Sequence, residues 1–217
     1  MLEVRRIRVK EAKAMVYELL RVGVRPASLA EALKRIGACT LKRPGASLLG
    51  FWYPEHGLLN QLISLWSCEV PATDDPGPDA AHGFEWVRAI GEFVTGISRE
   101  HFRMFPYLPE VRPGTFGPYY ELREYRVDTG TVPRTMDLWK EWVEKRAQLS
   151  PVVAVMYPLG GALDRFVHIW GYRSLDERVR LRAQAIEKGL WPPPGAAPLV
   201  SMQESTILLP APFSPLK

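Results

Sequence analysis

Tyr17-Glu18-Leu19 returns as Tyr120-Glu121-Leu122, an offset of 103 residues from 17 to 120. Further along, Tyr53-Pro54 returns as Tyr157-Pro158 at an offset of 104. The same 104 carries Gly57 to Gly161, Leu59 to Leu163, Trp66 to Trp170, Glu100 to Glu204 and Pro106 to Pro210. Unrelated matches would not hold one register, within a single residue, across most of a domain. The chain therefore reads as an internal duplication, and self-similarity of this kind decides the architecture before any local assignment.

The second copy has the clearer local pattern. Tyr119 to Val127 is rich in Tyr, Leu and Val and reads as a strand. Asp128-Thr129-Gly130 breaks it, and Pro133 suits a first helical turn. Met136, Trp139, Val143 and Ala147 then recur at helical spacing. Val152 to Tyr157 and Leu163 to Tyr172 flank the turn Pro158-Leu159-Gly160-Gly161 and form a hairpin. Ser174-Leu175-Asp176-Glu177 is a capping box, in which the Glu side chain reaches back to the cap. Its helix runs to about Lys188, before Gly189. A Pro-rich loop, Trp191 to Pro198, leads to a last strand, Ser201 to Leu209.

The order β-α-β-β-α-β is the ferredoxin-like split unit. The first copy repeats it with strands Val16–Val24, Leu48–Tyr53, Leu59–Cys68 and Ser98–Phe105, and helices at Leu29–Ile36 and around Glu85–Thr95. The fold class is α+β, with one unit over 15–110, a linker from Val111 to Pro118, and a second unit over 117–217. Residues 1–14 lie outside the repeat, as an arm or as an upstream start before Met15.

Composition narrows the function classes. The net charge is +4 and the pI about 9.1, but basic and acidic residues interleave. Arg178, Arg180 and Arg182 alternate with Val179 and Leu181 on one helix, a solvated face rather than a nucleic-acid patch. No apolar run reaches the roughly 18–20 residues that span a bilayer. The basic N-terminus lacks the apolar core of a secretory signal, and Glu3 and Glu11 speak against a transit peptide. Two cysteines, Cys39 and Cys68, make no framework and fit a reducing, cytoplasmic location. No metal-ligand spacing, phosphate loop or nucleophile elbow is present, so neither a metal nor a cofactor is expected.

Several segments resemble the NIPSNAP family. They are Tyr120-Glu121-Leu122-Arg123-x-Tyr125, His168-Ile169-Trp170, Ser201-x-Gln203-Glu204 and the terminal Pro212-Phe213-Ser214-Pro215-Leu216. The first half adds Leu49-Gly50-Phe51-Trp52 and Leu58-Leu59-Asn60-Gln61. The resemblance covers nearly everything after Met15 and implies a dimeric α/β-barrel: two ferredoxin-like sheets face to face, both from one chain, with a further homodimer as an expectation. Ser64 stands where the repeat places His168, a departure from the family pattern.

Side chains alternate along strands. Phe166, His168, Trp170 and Tyr172 share one face, and Val167 and Ile169 the other. With Leu122 under the helices, Glu121, Arg123 and Tyr125 would point with His168 into the barrel interior, joined by Glu204. His168, Glu121 and Arg123 are the catalytic candidates: a proton-exchanging imidazole, a carboxylate beside it and a cation for an anionic group. Tyr125, Phe166, Trp170, Tyr172 and Glu204 are the ligand-binding candidates. The structural alternative is an ion pair of Glu121 and Arg123 with a hydrogen-bonded core histidine. Trp66 and Trp170 read as core, His56 as a surface residue, and His82 and His101 as histidines without visible partners. Two functions follow. One is binding or metal-free acid/base transformation of a small, partly apolar organic molecule in the barrel cavity. The other is a non-catalytic adaptor acting through its surface. The sequence leaves enzyme and binding protein open.

Overall fold

The computed structural model describes residues 15–68 and 83–217. The loop Asp74–Asp79, His82 and the arm 1–14 lie outside the described residues. The first half contains β1 (Val16–Val24), α1 (Leu29–Gly37), β2 (Ala46–His56), β3 (Gln61–Cys68), α2 (Glu85–Ala89) and β4 (Val94–Met104). The second contains β5 (Tyr119–Val127), α3 (Val132–Ala147), β6 (Val152–Pro158), β7 (Arg165–Tyr172), α4 (Leu175–Glu187) and β8 (Val200–Pro210).

All eight strands close into one antiparallel barrel in the order β1-β3-β2-β8-β5-β7-β6-β4. Each half supplies the four-strand order of a ferredoxin-like sheet. The halves join at two seams, β2 on β8 (Trp52 opposite Pro210) and β4 on β6 (Phe102 opposite Pro158). Closure removes the free edges that an isolated ferredoxin-like sheet would expose. Among the described residues, no helix is long and apolar enough to cross a membrane.

The core has three compartments. The barrel interior is filled from both halves by Tyr17, Leu19, Trp52, Leu65, Tyr120, Leu122, Val167 and Ile169, among others. A second cluster lies between the first half's sheet and its helices, and a third between the second half's sheet and α3 and α4. One end of the barrel carries a closed ring of alternating charge. Arg21 pairs with Glu100 (2.7 Å) and Glu124, and Arg165 pairs with Glu124 (3.1 Å) and Glu100.

This packing reverses the expected faces. Leu122, Val167 and Ile169 fill the barrel, whereas Glu121, Arg123, Tyr125, Phe166, His168, Trp170 and Tyr172 point outward, under or toward α3 and α4. Alternation grouped these residues correctly but could not say which side held the helices. Every residue of β7 is buried, so neither face carries a polarity signal.

Three local details also differ. The helix expected around Glu85–Thr95 stops at Ala89; a 3-10 turn at Gly91–Phe93 follows, and Val94 and Thr95 enter β4. Gly91 weakens the helix there, and β-branched residues favour the strand. β3 begins at Gln61 rather than Leu59, whose side chain is exposed. Ser174 does cap α4 by accepting from the Glu177 N–H at 3.0 Å. The Glu177 carboxylate, however, accepts from the Arg173 N–H (2.7 Å), one residue before the cap.

The terminal Pro-Phe-Ser-Pro-Leu segment is a clasp. Ser214 Oγ accepts from the Phe51 N–H (2.9 Å) and donates to the Leu216 carbonyl (2.7 Å). Leu216 is buried with the barrel interior, and Phe213 packs edge-on against Phe51. The Lys217 carbonyl accepts from the Phe116 and Gly117 N–H groups, which ties the chain end to the linker between halves. Gly117 has φ +125°, and a Cβ there would lie 2.2 Å from the Tyr172 carbonyl oxygen, so the linker needs glycine at this crossing.

Candidate functional site

The outward face of the second half's sheet brings three strands together. Arg123 on β5 stands opposite His168 on β7 and Ser205 on β8, and Glu121 stands opposite Trp170. α3 lays Trp139 and Arg146 over this face, α4 adds Arg178 and Arg182, and the Pro-rich loop closes one wall with Trp191, Pro192 and Pro193. Between them lies a cavity of about 160 Å³.

Glu121 is the electrostatic centre. Its side chain is fully buried, and its Oε1 accepts from Arg178 (2.6 Å), Ser205 (2.7 Å) and Arg123 (2.8 Å). Among the described residues, its Oε2 has only the Tyr172 hydroxyl at 3.4 Å and the Arg182 guanidinium at 3.7 Å. Burial alone would raise the carboxyl. The Arg178 hydrogen bond, the Arg123 charge and the Ser205 hydroxyl outweigh it and hold the group down at about 2. A carboxylate this well held is an anchor for cations rather than a base.

His168 is 1% exposed, with its Nδ1 accepting from the Trp170 indole N–H at 2.6 Å. An indole nitrogen can only donate, so the neutral imidazole carries its proton on Nε2. That Nε2 is buried and has no protein partner among the described residues. Burial, reinforced by the nearby Arg123 charge and opposed by Glu121, pushes the imidazole well below 6.5. At neutral pH it is an uncharged donor, fixed in one tautomer and aimed by an aromatic box. Tyr125 and Trp139 meet its ring edge-on at 4.7 and 5.0 Å.

The remaining expected site residues separate. Tyr125, Trp170 and Tyr172 line the cavity with Arg123 and His168. Phe166 stacks behind the His168 ring at 5.8 Å and is not among the cavity-lining residues; neither is Glu121. Glu204 does not join them. It is exposed and opposite Glu124, on the barrel-interior parity, while its neighbours Gln203 and Ser205 face the site. The strand register of β8 is one residue away from the one that would have brought Glu204 in.

Arg146, which the sequence did not single out, and Arg182, expected with Arg178 on a solvated face but turned toward Glu121, complete the wall. Arg146 follows Trp139 by seven positions on α3, hence on the same face, and Arg182 follows Arg178 by one helical turn. The helical repeat therefore contained the signal. The loop carrying Trp191 had no periodicity to place it.

The first half shows what belongs to the architecture. Ser64 Oγ accepts the Trp66 indole N–H at 3.0 Å, the same service that His168 performs for Trp170. Glu18, at the position of Glu121, is fully buried and accepts from Arg43 (2.5 Å), Arg99 (2.6 Å) and His101 (3.1 Å). Burial opposes its ionisation, but the His101 and Arg43 hydrogen bonds hold it at about 2. His101 thus has a partner, contrary to expectation; by strand register it is Arg99, opposite Leu20, that holds the place Ser205, opposite Arg123, takes in the second half. A buried glutamate ringed by cations is common to both repeats. The histidine with a free Nε2–H is specific to the second.

The NIPSNAP family model matches residues 120–215, the half that carries the cavity. A NIPSNAP family protein of known structure from Agrobacterium tumefaciens is 32% identical. The match covers 46% of this chain and 98% of that one, with a TM-score of 0.43. The protein NipSnap of Drosophila melanogaster is 25% identical over 96% of this chain and 81% of its own length. This chain belongs to the NIPSNAP family. The expected family resemblance and α+β barrel class are both correct. A candidate monooxygenase of known structure from Lactobacillus acidophilus shares the fold, with a TM-score of 0.65 over 91% of this chain and 94% of that one, at 10% identity. At that identity the likeness extends to the fold alone.

Proposed function

We propose that this NIPSNAP family protein binds a small, partly apolar organic molecule between the second half's sheet and helices α3 and α4. The barrel interior is filled by side chains from both halves, so the binding place moves from inside the barrel to its outer layer. The observation that supports this reading most is the buried Nε2–H of His168, without an acceptor among the described residues, in a site walled by Tyr125, Trp139, Trp170 and Trp191. Buried donors are normally satisfied, and an exception at a cavity points to an absent acceptor. Aromatic walls suit a flat apolar body, and the imidazole N–H suits an oxygen on it.

The acid/base part of the role narrows accordingly. Glu121 is committed to its guanidinium partners, and His168 begins as a donor. Polarising a carbonyl or stabilising a developing oxyanion fits His168 better than abstracting a proton. Arg123, stacked 5.1 Å over the Tyr125 ring, supplies positive charge beside it.

Ligand-observed NMR with indole, 4-methylphenol and 3-phenylpropanamide tests this reading. At least one probe should bind the wild-type protein and lose tenfold or more in affinity with folded His168→Ala. If folded His168→Ala and Arg123→Gln proteins bind every probe as the wild type does, this cavity is not the binding place.

A further inference from the structure

The site is unbalanced in charge. Arg123, Arg146, Arg178 and Arg182 surround it, and among the described residues Glu121 is the single carboxylate that pairs with any of them. Arg178 and Arg123 are hydrogen-bonded to Glu121, and Arg182 is only at 3.7 Å. Arg146 has no anionic partner within ion-pair distance among the described residues. Its guanidinium donates to the Ser150 hydroxyl (2.6 Å), lies 3.5 Å from the Tyr172 hydroxyl, and sits 4.8 Å over the Trp170 ring. It is 3% exposed.

A guanidinium that is buried without a counter-charge costs folding free energy. Such a group persists where something outside the chain completes it. Arg146 and Arg182 both line the cavity, together with His168 and Arg123. Two further buried nitrogens there, His168 Nε2 and Arg123 Nε, have no hydrogen-bond partner among the described residues. Each unmet group is a donor, and each unmet charge is positive. A ligand that satisfied them would bring acceptors and negative charge.

Resting on the binding reading above, we propose that the ligand is a small organic acid: an apolar body of about one aromatic ring bearing a carboxylate. The guanidiniums of Arg146 and Arg182 receive the carboxylate, and Trp139, Trp170, Trp191 and the prolines receive the body. The cavity of about 160 Å³ matches a molecule of that size, since an apolar void of about 150 Å³ holds a benzene ring. Planar guanidinium and carboxylate pair through two parallel hydrogen bonds, which favours a carboxylate over a neutral amide of the same shape.

The test uses a matched pair, 3-phenylpropionate and 3-phenylpropanamide, titrated against the full-length protein by tryptophan emission and calorimetry. The carboxylate should bind at least tenfold tighter, and added sodium chloride should weaken it alone. R146M should bring the acid-to-amide affinity ratio down to about one. R182Q, at a more exposed position, should lower the acid-to-amide affinity ratio at least threefold, which covers the case in which R146M does not fold. Equal binding of acid and amide would overturn the organic-acid inference and leave the binding reading standing. Failure of both to bind at millimolar concentration would overturn the organic-acid inference, and the binding reading falls with it only if indole and 4-methylphenol also fail to bind.

Discussion

Replacing Glu121 by glutamine tests the electrostatic centre directly. The side chain keeps its shape but loses the charge that holds Arg123 and Arg178 at 2.8 and 2.6 Å. In the native protein the carboxyl falls from an ordinary 4.5 to about 2. At 1.36 kcal/mol per pH unit, that displacement corresponds to about 3 kcal/mol of stability. Removing one partner of a buried ion cluster costs about 3–5 kcal/mol by the same physics, because the remaining charges stay buried. The sign follows from the depressed value. The contribution is complete above the unfolded-state pKa and is lost as pH falls through the folded-state one. Urea unfolding at pH 7 should therefore show E121Q about 3 kcal/mol less stable, the deficit shrinking to roughly 1.4 kcal/mol at pH 3 and a few tenths at pH 2. The denaturant slope should not change, since the barrel closes in both proteins. A deficit under 1 kcal/mol at pH 7, or one of the same size at pH 3, would refute the view of Glu121 as the ionised anchor of this face.

Two further outcomes follow from other parts of the structure. The unfolded state takes up a proton at His168 below about 6.5 that the folded state refuses, so stability lost as pH falls below 6.5 should have a His168 component of up to about 1.4 kcal/mol per pH unit. H168Q should lack that component, and nitrogen-15 spectra of the wild type should show an unprotonated Nδ1 at pH 6, where a positively charged imidazole would contradict it. Ser214→Ala removes the acceptor of the buried Phe51 N–H and should cost about 1–3 kcal/mol in thermal unfolding, with an unchanged melting temperature as the contrary result.

The terminal motif shows how much a short segment can carry without declaring it. Pro212 to Leu216 is recognisable as a family feature, yet its task of joining Phe51, the barrel interior and the linker depends on contacts more than 90 residues apart in sequence. Arg146 is a similar case. Its position on the Trp139 face is legible from helical spacing, but its lack of a counter-charge emerges only when the described carboxylates have been placed in space.

By itself the sequence determined the repeating β-α-β-β-α-β order, most element positions, and the grouping of Glu121, Arg123, Tyr125, His168, Trp170 and Tyr172 on one strand face. Those features come from local periodicity and from a register shared by two copies, both of which are written along the chain. Tertiary structure decided which side of the sheet that face occupies, because both faces of a closed, helix-covered sheet are apolar and alternation has no sign. It also decided that Glu204 faces away, that His101 serves Glu18, and that the Pro-rich loop walls the cavity. These depend on strand register across β5 and β8 and on where an aperiodic loop settles. Both are set by barrel closure, in which packing between segments distant in sequence outweighs any local preference.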